Sequence, residues 1–242
     1  MQGLNPTALL AAWEEGAGQL PLRRAITLLT MAWPERSAAE WAGASIGERD
    51  RGLLRLREDL FGPRFDGVAV CPACGQRLQL TFSTHDITVP APALAGRAES
   101  LRLESAGYEV VYHLPTTADL LAVSDTGDPA GLLKRSVEVA RRGGEVVDPA
   151  QLPDEVASAV SVAMAQADPQ AEVRMALACP ACSHQWTCLF DILSFLWGEI
   201  EDWVQRIVRE VHILASAYGW TEAGILALSP RRRRIYLEMV GA

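Results

Sequence analysis

The chain has 242 residues, of which 49% are hydrophobic and 21% charged. That balance argues against disorder and allows one large domain or two small ones with a real core. With 22 basic and 30 acidic residues the formal charge is −8, which argues against broad nucleic-acid binding through a basic surface. No run of about 18 uncharged apolar residues occurs, so no membrane span is expected. The opening MQGLNPTALLAAWEE lacks the basic flank and apolar stretch of a signal peptide. Five cysteines, four of them in C-x-x-C pairs, fit a reducing cytoplasm better than a disulfide scaffold.

Residues 1–62 read as an N-terminal helical region. Leu9, Leu10 and Trp13 fall at helical spacing before Gly16 and Gly18, and a second helix is expected over LRRAITLLTMAW, with Pro34 beyond it. Ser37 followed by Glu40 has the form of a capping box. In GERDRGLLRLREDLFG, Leu53, Leu54, Leu56 and Leu60 make an apolar stripe that Gly62-Pro63 stops.

The pattern changes over residues 63–190. Val68 and Val70 lead into a first CPAC, after which Leu78, Leu80 and Phe82 alternate with polar residues as in a half-buried strand. A Pro/Ala loop, TVPAPALAG, comes next. Strands are then expected near SLRLES and YEVVYHL, with a turn at Gly107 and a short helix over 116–123. Asp128-Pro129 predicts the start of a helix ending at Gly143-Gly144. A further helix is predicted from Pro153 to about Gln166, and Val173, Met175 and Leu177 alternate into a second CPAC.

Residues 191–242 read as a C-terminal helical region. Ile192, Phe195, Leu196, Ile200, Trp203, Ile207, Val211 and Leu214 recur at three or four residues until Gly219, and Ser229-Pro230 opens a last helix bearing Arg231, Arg232, Arg233 and Arg234. The fold class expected is therefore α+β. Helical N- and C-terminal parts flank a split zinc ribbon, with an α/β insertion over about residues 83–172.

The chemistry lies in two similar segments, VAVCPACGQRLQLTF and MALACPACSHQWTCLF. Each has a lead-in strand, CPAC, a small residue (Gly75 or Ser183) and a second strand. A C-x-x-C on a tight turn presents two sulfurs on one side, and zinc takes four thiolates in a tetrahedron. Cys71, Cys74, Cys179 and Cys182 are thus predicted to hold one structural Zn2+, with no position open for water. The 104 residues from 75 to 178 far exceed the usual ribbon spacing of about 15–20, which points to an insertion between the two hairpins.

Three alternatives stand beside this reading. A redox dithiol is one, although it needs a single C-x-x-C at a helix start after a strand. Unmetallated thiols are another, and two separate sites completed by His184 a third. His184 and Cys188 are expected to be bystanders.

No phosphate-binding glycine loop, nucleophile elbow or H-E-x-x-H motif is present. His85-Asp86 and His113 lack a partner nucleophile at meaningful spacing, so no enzyme is expected. Trp197, Trp203 and Trp220 gather in the C-terminal part, as do the four arginines, and all are candidates for a partner-binding surface. The tryptophans are equally at home in a core. Arginines near a helix start oppose the helix dipole and hint at an acidic partner.

The order of the segments ERDRGLLRLREDLFGP, CPACGQRLQLTF, HLPTTADLLAV, GLLKRSVEVARRGGE, the CPACSHQWTCLFDI block and the closing REVH…YGW…LSPRRRRIYLE block is distinctive. In it the chain resembles the T-even-type baseplate hub assembly chaperones of contractile phage tails and related injection systems. The resemblance spans most of the chain from about residue 47. It implies a helper in building the central hub, working in the bacterial cytoplasm on baseplate hub or spike proteins. It brings no catalytic residues, and its cysteine pairs fall on Cys71, Cys74, Cys179 and Cys182. The departures are Ser183 where glycine is common, the extra Cys188, and a shorter, more helical N-terminal region. Two rival readings are a structural subunit that stays in the finished particle and a zinc-ribbon nucleic-acid regulator using Arg231–Arg234.

Overall fold

The computed structural model describes residues 4–90, 100–126 and 131–241. Helices α1 (Pro6–Gly16), α2 (Pro21–Ala32), α3 (Ala38–Ala42) and α4 (Ile46–Phe61) open the chain. A first hairpin follows, β1 (Arg64–Val70) and β2 (Arg77–Ser83), then the one-turn α5 (Thr84–Ile87). Next come β3 (Leu101–Ser105), β4 (Tyr108–Tyr112), α6 (Thr117–Thr126), α7 (Gly131–Ser136), β5 (Val137–Arg142), β6 (Glu145–Val147) and α8 (Asp154–Ala167). A second hairpin, β7 (Val173–Ala178) and β8 (Gln185–Phe190), leads to α9 (Ile192–Tyr218), α10 (Glu222–Leu226) and α11 (Pro230–Met239). The chain is a mixed α+β protein.

By packing it divides into two compact units. One joins the residues up to Glu35 with those from Leu193 onward, and the other runs from Arg36 to Ile192. These divisions fall after 35 and 192, where the sequence reading drew them after 62 and 190. The difference lies in α3 and α4, which belong to the central unit. Gly47, in the first turn of α4, donates its N–H to Asp168 Oδ2 at 2.7 Å, and a Cβ at Gly47 would overlap that buried carboxylate. Arg51 on the same helix approaches Asp168 at 3.8 Å.

Between the hairpins the chain builds its own sheet, an antiparallel meander in the order β3-β4-β5-β6. Tyr108, Val110 and Tyr112 of β4, Val137 and Ala140 of β5, and Val156, Val160 and Met164 of α8 form its core. None of these strands pairs with the hairpins among the described residues.

The helix predicted from Asp128 does not run to Gly143-Gly144. Asp128 and Pro129 lie outside the described residues, and after α7 ends at Ser136 the chain turns into the β5–β6 hairpin. Val137 is buried on the sheet core and pairs with Tyr112, across a bulge between Val111 and Tyr112. Gly143 and Gly144 have φ of 59° and 87°, which suits a two-residue hairpin turn needing two positive values. The glycine pair is a turn between strands and does not end a helix. Of the TVPAPALAG loop, residues 91–99 also lie outside the described part.

The two cysteine hairpins are separate two-stranded sheets with matching registers. In one, Phe65 faces Phe82 and Val70 faces Arg77; in the other, Val173 faces Phe190 and Ala178 faces Gln185. Phe65, fully buried, stacks on Phe82 with centroids 4.9 Å apart, and Phe190 meets both rings edge-on at 5.6 and 5.5 Å. Arg57 of α4 lies 3.8 Å above the Phe65 ring. This ring triad joins the hairpins at the ends away from the cysteines. Gln170, also fully buried, accepts from Val89 N–H at 2.7 Å and donates to the Ile87 carbonyl at 3.2 Å, tying the chain after the first hairpin to the approach of the second.

In the other unit, Leu196, Ile200, Ile207 and Leu214 of the predicted α9 stripe are buried together with Val204, while Phe195, Trp203 and Val211 are half-buried. Trp197 is buried too, with its Nε1 donating to Glu201 at 2.6 Å, Arg24 4.4 Å above its ring, and Gly16 beneath it. A Cβ on Gly16 would overlap that ring. Gly16→Ala is therefore expected to destabilise by about 1–3 kcal/mol, the range for an overpacked core, as read from denaturant titration.

Candidate metal centre

Each CPAC is a tight turn closed the same way. Cys71 N–H donates to Gln76 O and Gly75 N–H to Cys71 O; Cys179 N–H donates to His184 O and Ser183 N–H to Cys179 O, all at 2.9 Å. Gly75 and Ser183 share the left-handed conformation, with φ of 74° and 61°. That shared conformation explains why glycine suits the position and why Ser183 sits there under some strain.

The four sulfurs converge. Cys71 Sγ lies 3.7 Å from Cys182 Sγ, Cys74 Sγ lies 3.6 Å from Cys179 Sγ, and all four ligand atoms fall within 4.8 Å of one another. A tetrahedral ion with Zn–S bonds near 2.3 Å needs sulfur pairs about 3.8 Å apart, whereas a disulfide needs about 2.05 Å. The four thiols are free, and their spacing fits a metal and not a cross-link. Cys71 and Cys179, at the strand ends, are buried; Cys74 and Cys182, at the turn ends, are exposed. Among the described residues this is the one cluster of histidine, cysteine or carboxylate groups arranged to hold an ion.

The electrostatics of the thiols point the same way. At Cys179, burial pushes the thiol up, but the N–H groups of Cys182 and Ala181 and the sulfurs of Cys74 and Cys182 outweigh it and bring it down to about 7. At Cys74, the Gln76 N–H favours the thiolate, yet the sulfurs of Cys182, Cys179 and Cys71, together with burial, push it up to about 12. Without a metal, the Cys179 thiolate is favoured, while the neighbouring sulfurs oppose ionisation of Cys74. A cation removes that opposition and releases the remaining protons.

Metal affinity is accordingly expected to fall steeply as pH drops through 7, where even Cys179 takes a proton. Competition with a chromophoric chelator between pH 8 and 6 reads this. In the metal-free protein the lowered Cys179 pKa adds stability above the ordinary thiol range, which is lost as pH falls through about 7. The raised pKa of Cys74 acts oppositely, adding stability that is lost as pH rises through about 12.

The other sequence candidates fall elsewhere. Cys188 is half-buried on β8, opposite Met175, and His184 lays its ring near Trp186, with 6.0 Å between centroids. Asp86 forms a capping box with Ser83, and both ring nitrogens of His113 face backbone carbonyls, Leu114 O at 2.9 Å and Arg135 O at 3.2 Å. Trp197 is a core residue of its unit, Trp203 is half-buried, and Trp220 stacks on Tyr218 and meets Tyr236 edge-on. The arginine run splits. Arg233 is buried, donating to Glu210 at 2.9 Å and to the Leu228 carbonyl at 2.7 Å, while Arg231, Arg232 and Arg234 are exposed.

The sequence reading did not single out the phenylalanine triad, although the signal was present. Phe82 and Phe190 each stand eleven residues after the first cysteine of their CPAC, so the repeat that carries the sulfurs carries the rings as well.

Fold and site together define a mixed α+β protein built on a split ribbon, with a four-cysteine candidate metal centre between its two hairpins. The chain belongs to the family described as T4 bacteriophage base plate protein, whose pattern it matches over residues 34–197. The match covers the whole central unit, including both hairpins and the sheet between them, and ends before the REVH…LSPRRRRIYLE block. No curated protein and no solved structure matches the chain. No helix among the described residues is long and apolar enough to cross a membrane.

Proposed function

We propose that the protein is a non-enzymatic assembly chaperone for the hub of a contractile tail baseplate, stabilised by one structural zinc ion on Cys71, Cys74, Cys179 and Cys182. Membership of the base plate family across the entire ribbon unit carries the baseplate part of this reading. Four converging thiols support the zinc, because soft anionic ligands at tetrahedral spacing suit it, and a shell filled by protein leaves no position for substrate or water. The engagement of Asp86 in a cap and of His113 on carbonyls supports the absence of catalysis. In this role the protein acts in the bacterial cytoplasm, where tails assemble, on hub or spike proteins.

A second reading is favoured by the family's own description, which is that of a base plate protein: a subunit that stays in the particle. Quantitative mass spectrometry of hub intermediates and finished tails from the native host separates the two. Presence in intermediates and absence from tails is the chaperone result. Fixed stoichiometry in finished tails makes it a structural subunit, and absence from both overturns the tail-assembly role.

A further inference from the structure

Helix α11 carries a surface that its own unit leaves unused. Four consecutive arginines occupy its first turns, yet only Arg233 points inward, where Glu210 and the Leu228 carbonyl hold it. Arg231, Arg232 and Arg234 are exposed and make no ion pair among the described residues. Ser229 caps the helix by accepting from Arg232 N–H at 3.3 Å, so the helix start is satisfied without them. Three positive side chains beside the positive end of the dipole work against the helix. Helix stability therefore does not account for them.

Between these charges runs an apolar row. Arg231, Ile235 and Met239 follow at four-residue spacing along one face, and Ile235 and Met239 are 43% and 70% exposed. On the same helix, Tyr236 joins an aromatic group in which Tyr218 stacks on Trp220 at 4.6 Å and Trp220 meets Tyr236 edge-on at 4.9 Å. The Gly219 turn, with φ of 67°, sets Tyr218 and Trp220 against each other, and Tyr218 is 37% exposed. Preorganised aromatic and arginine side chains around exposed apolar ones are the composition of an interface centre.

We infer that the Arg231/Arg232/Arg234, Ile235 and Met239 face of α11 docks an acidic, amphipathic segment of another protein. Charge complementarity selects the partner, since this is a patch of unpaired positive charge on a chain of net charge −8. Nucleic acid would leave Ile235 and Met239 facing phosphate and would be repelled by the rest of the molecule. Two apolar side chains are too few to anchor an acidic protein on an anionic lipid surface. The inference does not depend on whether the protein leaves the finished particle.

The test places a photo-crosslinking phenylalanine derivative at position 239 of the full chain, expressed in the host that assembles the tails. Exposure at that position leaves the fold undisturbed. The expected result is an adduct with a different protein, through a peptide rich in Asp and Glu and bearing apolar residues. Its yield should fall at least tenfold in the Arg231→Glu/Arg232→Glu/Arg234→Glu variant and recover when lysine takes all three positions. If that variant melts abnormally, Ile235→Ser in the otherwise native chain serves instead, with the same loss expected. An adduct with a second copy of this chain, with nucleic acid or with lipid overturns the inference. So does a yield that charge reversal leaves unchanged, or no adduct at all.

Discussion

Stripping the metal with a chelator, or replacing Cys179 with serine, is expected to take the protein from one bound zinc per chain to none and to melt the two cysteine hairpins. The scale follows from the chemistry of such sites. Structural zinc contributes roughly 10–16 kcal/mol of apparent binding energy in zinc-finger peptides at neutral pH, as much as a typical domain's whole stability of about 5–15 kcal/mol. Serine at 179 also opens the fourth position to water and removes the buried sulfur that the N–H groups of Cys182 and Ala181 support.

The loss should be local. The β3–β6 sheet and α8 have their own core, built on Tyr108, Val110, Tyr112, Val156 and Val160, and do not pair with the hairpins among the described residues. Hydrogen exchange should therefore show β1, β2, β7 and β8 losing protection while β4, β5 and α8 keep theirs. A Cys179→Ser protein with full metal content and unchanged melting would show that the four sulfurs do not hold the ion.

Phe65→Ala is the second large effect, at the opposite end of the same hairpins. The ring is fully buried, stacked on Phe82, met edge-on by Phe190 and covered by Arg57. Emptying such a site costs about 3–5 kcal/mol, and each aromatic pair adds about 0.5–1.5 kcal/mol beyond burial. For a chain of this size that corresponds to a melting temperature lower by about 6–20 °C. Metal content should nevertheless stay at one per chain, because Phe65 lies six residues from Cys71, about 20 Å along an extended strand. Melting within 2 °C of the parent would mean that the metal alone joins the hairpins.

Much of this architecture could be read from the chain. The helices α1, α2, α4 and α8, the capping box at Ser37, the long α9 and the strands around both CPAC turns are specified by neighbours within a few residues, through caps, glycines and hydrophobic period. The four-cysteine candidate metal centre was legible for the same reason, since each C-x-x-C is a local turn and its duplication supplied the second pair of sulfurs. Residues 131–147 misled because GLLKRSVEVARRGG carries both helical and strand-forming residues. Its second half became a strand by lying beside β4, a neighbour more than twenty positions away.

By itself, then, the sequence determined the α+β class, the four cysteines that converge and the two-hairpin plan, all of which rest on short-range chemistry repeated twice. Tertiary structure alone decided which of four consecutive arginines is buried, since Glu210 selects Arg233 across 23 positions. It also decided that Trp197 is a core residue above Gly16, and that Gly47 belongs against Asp168, 121 positions further along the chain. Such choices are made by groups distant in sequence that meet only after folding. A buried charge or a close backbone approach depends on what arrives at that point in space, and no local pattern encodes the arrival.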